Sequence, residues 1–169
     1  MDSLIADLDK PYAFLPARPV PLHRQDRPPL PASAFVDIED RQFQALRCAY
    51  ARTGGLVYGD EMACLLRPHA DQPVSVVARW IVARTIVNFE WRSQTFIPLF
   101  QFTRADLSLD AASAIAVKEL GTVFDDWELA LWFAQPNSWL HGRAPADAVA
   151  ASPSEVVAAA RADRFVARG

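Results

Sequence analysis

The chain has 169 residues, about half of them apolar, with a formal charge of −3 and a pI near 5.6. That length suits one domain, burying roughly 70% of the surface its unfolded chain exposes, and the composition excludes global disorder. The acidic balance excludes a nucleic-acid binder that works through net positive charge, while leaving room for a local basic patch.

Residues 1–36 read as an extended arm. Pro11, Pro16, Pro19, Pro21, Pro28, Pro29 and Pro31 remove backbone donors and fix φ. The arm could be disordered, drape over the domain through Tyr12, Phe14 and Leu15, or serve as a ligand for a partner's aromatic groove. Regular structure is expected from Asp37. Phe43, Leu46, Cys48 and Tyr50 decorate a helix reaching about Thr53, which Gly54-Gly55 ends. A short helix follows over 59–67 with Met62, Ala63, Leu65 and Leu66 as its apolar surface. Pro73 fits the first position of a third helix, reaching about Ala83 through Val76, Val77, Trp80 and Ile81.

The period then changes. Thr85–Arg92 and Thr95–Phe102 are rich in β-branched and aromatic residues, with Val87, Phe89 and Trp91 alternating with Ile86, Asn88 and Glu90. A β-hairpin over 85–102 is expected, turning at Ser93-Gln94, with Pro98 marking an edge or a bulge. Beyond it the pattern is helical again. Ala112, Ile115, Ala116 and Leu120 share one face. Asp125 and Glu128 have capping-box spacing at the head of the next helix, where Trp127, Ala130, Leu131 and Ala134 make one stripe and Leu129, Trp132 and Phe133 lie off it. A helix apolar on both sides is buried on both sides, in the core or against another chain. Gln135-Pro136-Asn137 breaks it, Pro145 opens a short helix, and Ser152-Pro153-Ser154-Glu155 predicts a capping box for a final Ala-rich helix. The expected fold is mainly α with one β-hairpin. Degenerate helix-turn-helix-like helices occupy 37–84, and a small helical bundle occupies 103–169.

Catalytic signatures are missing from the pattern. There is no Gly-rich phosphate loop, GxSxG, HExxH or CxxC. His23, His69 and His141 lie in separate segments without metal-like spacing, and Asp125-Asp126 is better explained by helix capping than by acid–base work. No enzyme, cofactor or metal site is expected. Cys48 and Cys64 are too few for a disulfide framework or a zinc site, and reduced, packed thiols are expected. The opening MDSLIADLDK puts acids where a signal peptide has bases, and Arg79, Arg84, Glu90 and Arg92 interrupt the most apolar stretch. These features predict a cytoplasmic protein without membrane association.

Helix, Gly-Gly, short helix, turn, helix is also the order of a helix-turn-helix, with Arg79 and Arg84 as the bases of the reader. Against DNA binding, residues 37–84 carry six basic and six acidic side chains. The reader, with Val76, Val77, Trp80 and Ile81, offers few donors to base edges.

A family pattern appears at the hairpin and beyond. Pro98-Leu99-Phe100-Gln101-Phe102 is followed by Phe124-Asp125-Asp126-Trp127, by Leu131-Trp132-Phe133, and by Pro136-Asn137-Ser138-Trp139-Leu140-His141-Gly142-Arg143-Ala144-Pro145. In order and spacing, over about residues 54–165, this resembles the Xre/MbcA/ParS-type antitoxins (the DUF2384 group). The resemblance implies an antitoxin whose C-terminal domain masks the active site of a RES-type toxin that destroys NAD⁺. It also implies an N-terminal helix-turn-helix that represses the operon, and from this pattern the Pro-rich arm and the non-basic reader depart. Candidate partner-binding residues are Trp139 and Arg143 in the loop and Arg161, Arg164 and Arg168 on the last helix, since aromatic and arginine anchors dominate protein interfaces. The bland reading of each arginine is a solvated helix end. The alternatives are a DNA-binding regulator, and an orphan module that homodimerises through the two-sided helix around Trp127–Phe133. Gln101 is expected to satisfy backbone groups, and Asn137 and Gly142 to shape a turn.

Overall fold

The computed structural model describes the backbone of residues 32–169 and side chains from residue 40 onward. Most of the expected arm, with Tyr12, Phe14, Leu15 and His23, lies outside the described residues. The first helix, α1 (Ala32–Tyr50), begins five residues earlier than expected, directly after Pro31. It ends in a single 3-10 turn over Ala51–Thr53, closed by Gly54 at φ 110°. A Cβ at Gly54 would stand 2.9 Å from the Leu99 Cβ, so both conformation and space demand glycine there.

A short strand that the sequence reading does not contain, β1 (Leu56–Tyr58), comes next. Then follow α2 (Gly59–Leu66) and α3 (Pro73–Val82), the latter with proline in its first turn as expected. The hairpin is real but shorter than expected: β2 (Phe89–Trp91) and β3 (Gln94–Pro98) pair antiparallel, Phe89 opposite Phe96. Its turn is Arg92-Ser93, not Ser93-Gln94. Both residues have positive φ, 49° and 59°, the combination a tight two-residue hairpin needs to match strand twist. Arg92 is held there by the Asp40 carboxylate at 2.7 Å and by lying 4.4 Å over the Trp91 ring. β1 adds to the other side of β3, Leu56 opposite Pro98, giving the order β1-β3-β2. Pro98 therefore ends the central strand instead of marking an edge.

Residues 85–88 do not form strand. Ile86, Val87 and Asn88 are buried in succession, so the two-residue alternation has no solvent face to serve. A 3-10 turn at Leu99–Gln101 replaces the end of the second expected strand. It places Gln101 inside, where its amide binds the backbone of Val87 on both sides.

Four helices complete the chain: α4 (Ala111–Leu120), α5 (Asp126–Ala134), α6 (Pro145–Ala148) and α7 (Pro153–Arg168). Asp110 caps α4 through the Ser113 N–H, and Asp125 with Glu128 forms the expected capping box of α5. The sheet separates two buried groups. On one side Phe96 and Val87 join α1, α4, α5, α6 and α7 around Tyr50, Leu120, Phe133 and Leu140. On the other, Ile97, Ile86 and Phe102 join α2 and α3 around Met62, Leu66 and Val77. The expected unit over 37–84 is thus split: α1 packs against α5 in the larger core, and α2 with α3 forms the smaller layer.

Several side-chain expectations change at this level. Leu65 and Ile115 are exposed, because the buried face of α2 is Met62, Ala63 and Leu66 and that of α4 includes Ser113 and Val117. Cys48 and Cys64 are free but exposed, not packed; each falls one step off the buried stripe of its helix. No helix among the described residues is long and apolar enough to cross a membrane.

Candidate protein-binding surface

The C-terminal surface is built on α4 and α7. Ala112, Ala116, Ala159 and Ala160 meet between these helices, and small side chains let the two backbones approach closely. Across the pair, Glu119 on α4 receives Arg161 Nε at 3.0 Å and also pairs with Arg164, while Arg168 reaches the Thr122 hydroxyl at 3.1 Å. The hydrogen bond from Arg161, reinforced by the positive charge of both guanidiniums, holds the Glu119 carboxyl below its ordinary range.

This clamp has a pH consequence. A depressed carboxyl pKa means that the unfolded chain binds the proton more readily. The stabilisation is present above the ordinary glutamate value of about 4.3 and is lost as pH falls through the lower folded value. In acid unfolding, Glu119→Gln is expected to flatten that part of the stability–pH curve. An unchanged acid limb would remove Glu119 as the cause.

The loop between α5 and α6 lies against the other flank of α7. The Asn137 carbonyl accepts from the Gly142 N–H at 2.9 Å, and its side-chain oxygen accepts from the Trp139 N–H at 2.9 Å, as the turn reading requires. His141 and Gly142 follow with φ of 56° and 77°. One carboxylate on α7 collects the loop: Asp163 accepts from Trp132 Nε1 at 2.7 Å, Asn137 Nδ2 at 2.7 Å and Trp139 Nε1 at 2.8 Å.

The expected capping box of α7 does not form. The Ser152 side chain makes no cap bond, and Arg143 takes the Glu155 carboxylate at 2.8 Å and lies 3.5 Å from the Ser152 hydroxyl. The guanidinium thus ties the loop to the helix start with the two side chains that local capping would have used.

Every expected arginine anchor is therefore engaged within the chain, Arg143 to Glu155, Arg161 and Arg164 to Glu119, and Arg168 to Thr122. Trp139 is different: its N–H is satisfied, yet 56% of the residue faces solvent. Phe165 and Val166, which the sequence reading passed over, are 79% and 68% exposed. Val166 follows Asp163 by three residues, so it lies one turn further along the flank that faces Trp139. An adjacent Phe-Val pair at the end of a polar helix is a signal that was available in the sequence. The convergence on Asp163 was not.

The expected DNA-reading bases separate. Arg79 is exposed on α3. Arg84 lies beyond the helix end, at φ 48°, and reaches along the surface toward the start of α5. It donates to the Gly121 carbonyl at 3.1 Å, the Phe124 carbonyl at 3.0 Å and Asp126 at 2.9 Å. Its role is to join the α3 exit to the start of α5, which leaves Val74, Ser75, Ala78 and Val82 beside Arg79 on the exposed face of α3.

Among the described residues no cluster of three or more His, Cys, Asp or Glu side chains is placed to hold a metal. No family model, no curated protein and no solved structure matches this chain.

Proposed function

We propose that this chain is an antitoxin-like binding protein, acting in the cytoplasm, that masks the active site of a cognate RES-type toxin with the surface made by the Asn137–Arg143 loop and α7. The observation that supports the reading is the exposure of Trp139, Phe165 and Val166 on the same loop and helix that carry Arg143, Arg161, Arg164 and Arg168. Aromatic groups and arginines are the anchors that carry most interface energy. Of these arginines, Arg143 is held by an ion pair exposed on both sides and Arg168 by a hydroxyl, contacts of small net worth that a carboxylate or phosphate site on a partner could replace. The order of motifs from Pro98 to Pro145 supplies the toxin class by resemblance.

The test is co-expression with the product of the neighbouring gene. The wild-type chain is expected to co-purify with it and to restore growth. Trp139→Ala combined with Phe165→Ala is expected to weaken the complex by about 30-fold or more, equivalent to about 2 kcal/mol. A double variant that folds as wild type and neutralises undiminished would sink the assignment of the surface.

A homodimeric module is the second reading. The row Val74, Ala78, Val82 favours it, since it repeats every four residues on exposed α3 and carries no charge. The aromatic helix α5, the earlier candidate for this contact, is flanked within the chain by α1, β2 and α6. Sedimentation of Val82→Glu against wild type at micromolar concentration separates the readings. A smaller species for the variant supports self-association through α3.

A further inference from the structure

A cleft of about 450 Å³ opens beside the hairpin, lined by Gln42 of α1, Glu90, Trp91 and Arg92 of the hairpin, and Trp127 of α5. Its floor is rigid. Trp91 stacks on Phe43 with ring centroids 3.9 Å apart and planes 4° off parallel, and Trp127 meets Phe89 edge-on at 5.2 Å. Both tryptophans are only partly buried, and neither indole N–H has a hydrogen-bond partner among the described residues. Glu90 is exposed and forms no ion pair among the described residues, whereas Arg92 is occupied by Asp40. The cleft therefore presents aromatic walls, two indole N–H donors and one negative charge, none of them paired among the described residues.

We infer that this cleft is the docking site of the chain's own Pro-rich segment, about residues 20–30. The first argument is chemical. Extended proline segments are recognised by aromatic grooves, because a polyproline II strand presents flat rings and unpaired carbonyls to aromatic faces and indole N–H donors. Residues 16–31 hold six prolines, none of which carries an N–H to donate. The second is charge. The same stretch carries Arg18, Arg24 and Arg27 against Asp26 alone, a charge complementary to that of Glu90. The third is reach. The segment joins α1 at Ala32, ten residues before Gln42, which is about 15 Å along the helix. An extended strand at about 3.1 Å per residue covers that distance in about five residues. A chain that turns back at Pro31 thus arrives at the cleft near Arg27, with Pro21, Pro28 and Pro29 in range. The tether keeps the segment at high local concentration, so weak individual contacts suffice. The site is distinct from the C-terminal surface proposed above.

The test uses the full chain. Cys48→Ser and Cys64→Ser remove the two exposed thiols, Val20→Cys takes a nitroxide label, and the indole N–H signals of the five tryptophans are read by NMR. Trp91 and Trp127 are expected to lose more intensity than Trp80, Trp132 and Trp139, and Glu90→Lys is expected to reduce that selective loss. Equal broadening of all five, or the strongest loss at Trp80 or Trp139, overturns the proposal. A second sample mixes spin-labelled chain of natural isotope content with isotope-labelled chain lacking the nitroxide. No loss is expected there, and selective loss at Trp91 and Trp127 would assign the cleft to the arm of a second copy, overturning the intramolecular site.

Discussion

Gln101→Leu is expected to lose roughly 3–5 kcal/mol of stability, because it strands the N–H and carbonyl of Val87 and the carbonyl of Pro98 at a buried position. Gln101 is 1% exposed and Val87 is fully buried. The amide oxygen accepts from the Val87 N–H at 2.7 Å, and the amide nitrogen donates to the Val87 carbonyl at 2.8 Å and to the Pro98 carbonyl at 2.9 Å. In effect one side chain acts as the β-strand partner for a segment that has none. Leucine matches its volume closely, so packing changes little and the cost is that of orphaned polar groups, about 1–3 kcal/mol each. Against a typical domain stability of about 5–15 kcal/mol that is a large fraction.

Gln101→Glu refines the argument. It keeps the acceptor for Val87 N–H but turns a carboxylate toward two carbonyl oxygens, so it is expected to be at least as damaging at pH 7. Protonation restores one donor, and the deficit should shrink as pH falls. Urea midpoints for the two variants check both parts. A Gln101→Leu protein within about 1 kcal/mol of wild type would mean that water or a backbone shift satisfies Val87.

The Gln101 result bears on what the sequence could reveal. Elements whose signals are local were readable. Pro73 at the head of α3, the Asp125–Glu128 box of α5 and Pro153 at the head of α7 all work through neighbours within a turn. Several of the failures share one cause: a partner from another element took over a group that local rules had assigned. Ser152 and Glu155 had the spacing of a capping box, but Arg143 claims both. Arg84 sat where a reader helix would present a base, but three acceptors between Gly121 and Asp126 draw it across the molecule. Strand β1 has three residues between glycines, too few for a period, and exists because β3 offers it an edge. Thr85–Asn88 had strand composition, but both of its faces are buried and its ladder is replaced by one amide. The candidate surface divides the same way. Trp139 and the arginines were visible as residue types, and Phe165-Val166 could have been noticed as an apolar pair. Asp163 carried no local signal, since its three donors lie 24–31 residues earlier.

Asp163 supplies the sharpest separation between holding the surface and being the surface. Its two oxygens gather both indole N–H groups and the Asn137 amide, so the carboxylate fixes the loop on α7 while Trp139 keeps one face in solvent. Asp163→Ala removes all three acceptors at once. The site is only partly buried, so water can take over some donors, and the expected loss of stability is about 1–3 kcal/mol. Asp163→Asn is not a mild change here, because one of its two side-chain positions becomes an NH₂ facing donors. It is expected to recover at most part of that loss. Under the proposed function either variant should also lower toxin affinity by about tenfold, near 1.4 kcal/mol, with every candidate contact residue still present, because Trp139 is no longer pre-positioned. Trp139→Phe supplies the control. It deletes a single N–H, leaves Trp132 and Asn137 on Asp163, and should cost less stability than Asp163→Ala. Calorimetric affinities beside urea midpoints for the three variants resolve the roles. If Asp163→Ala lowers stability but leaves affinity untouched, the partner orders the loop by itself and Asp163 serves only the fold. If both fall while the α4–α7 clamp at Glu119 keeps its acid response, the carboxylate is what presents Trp139 to the partner.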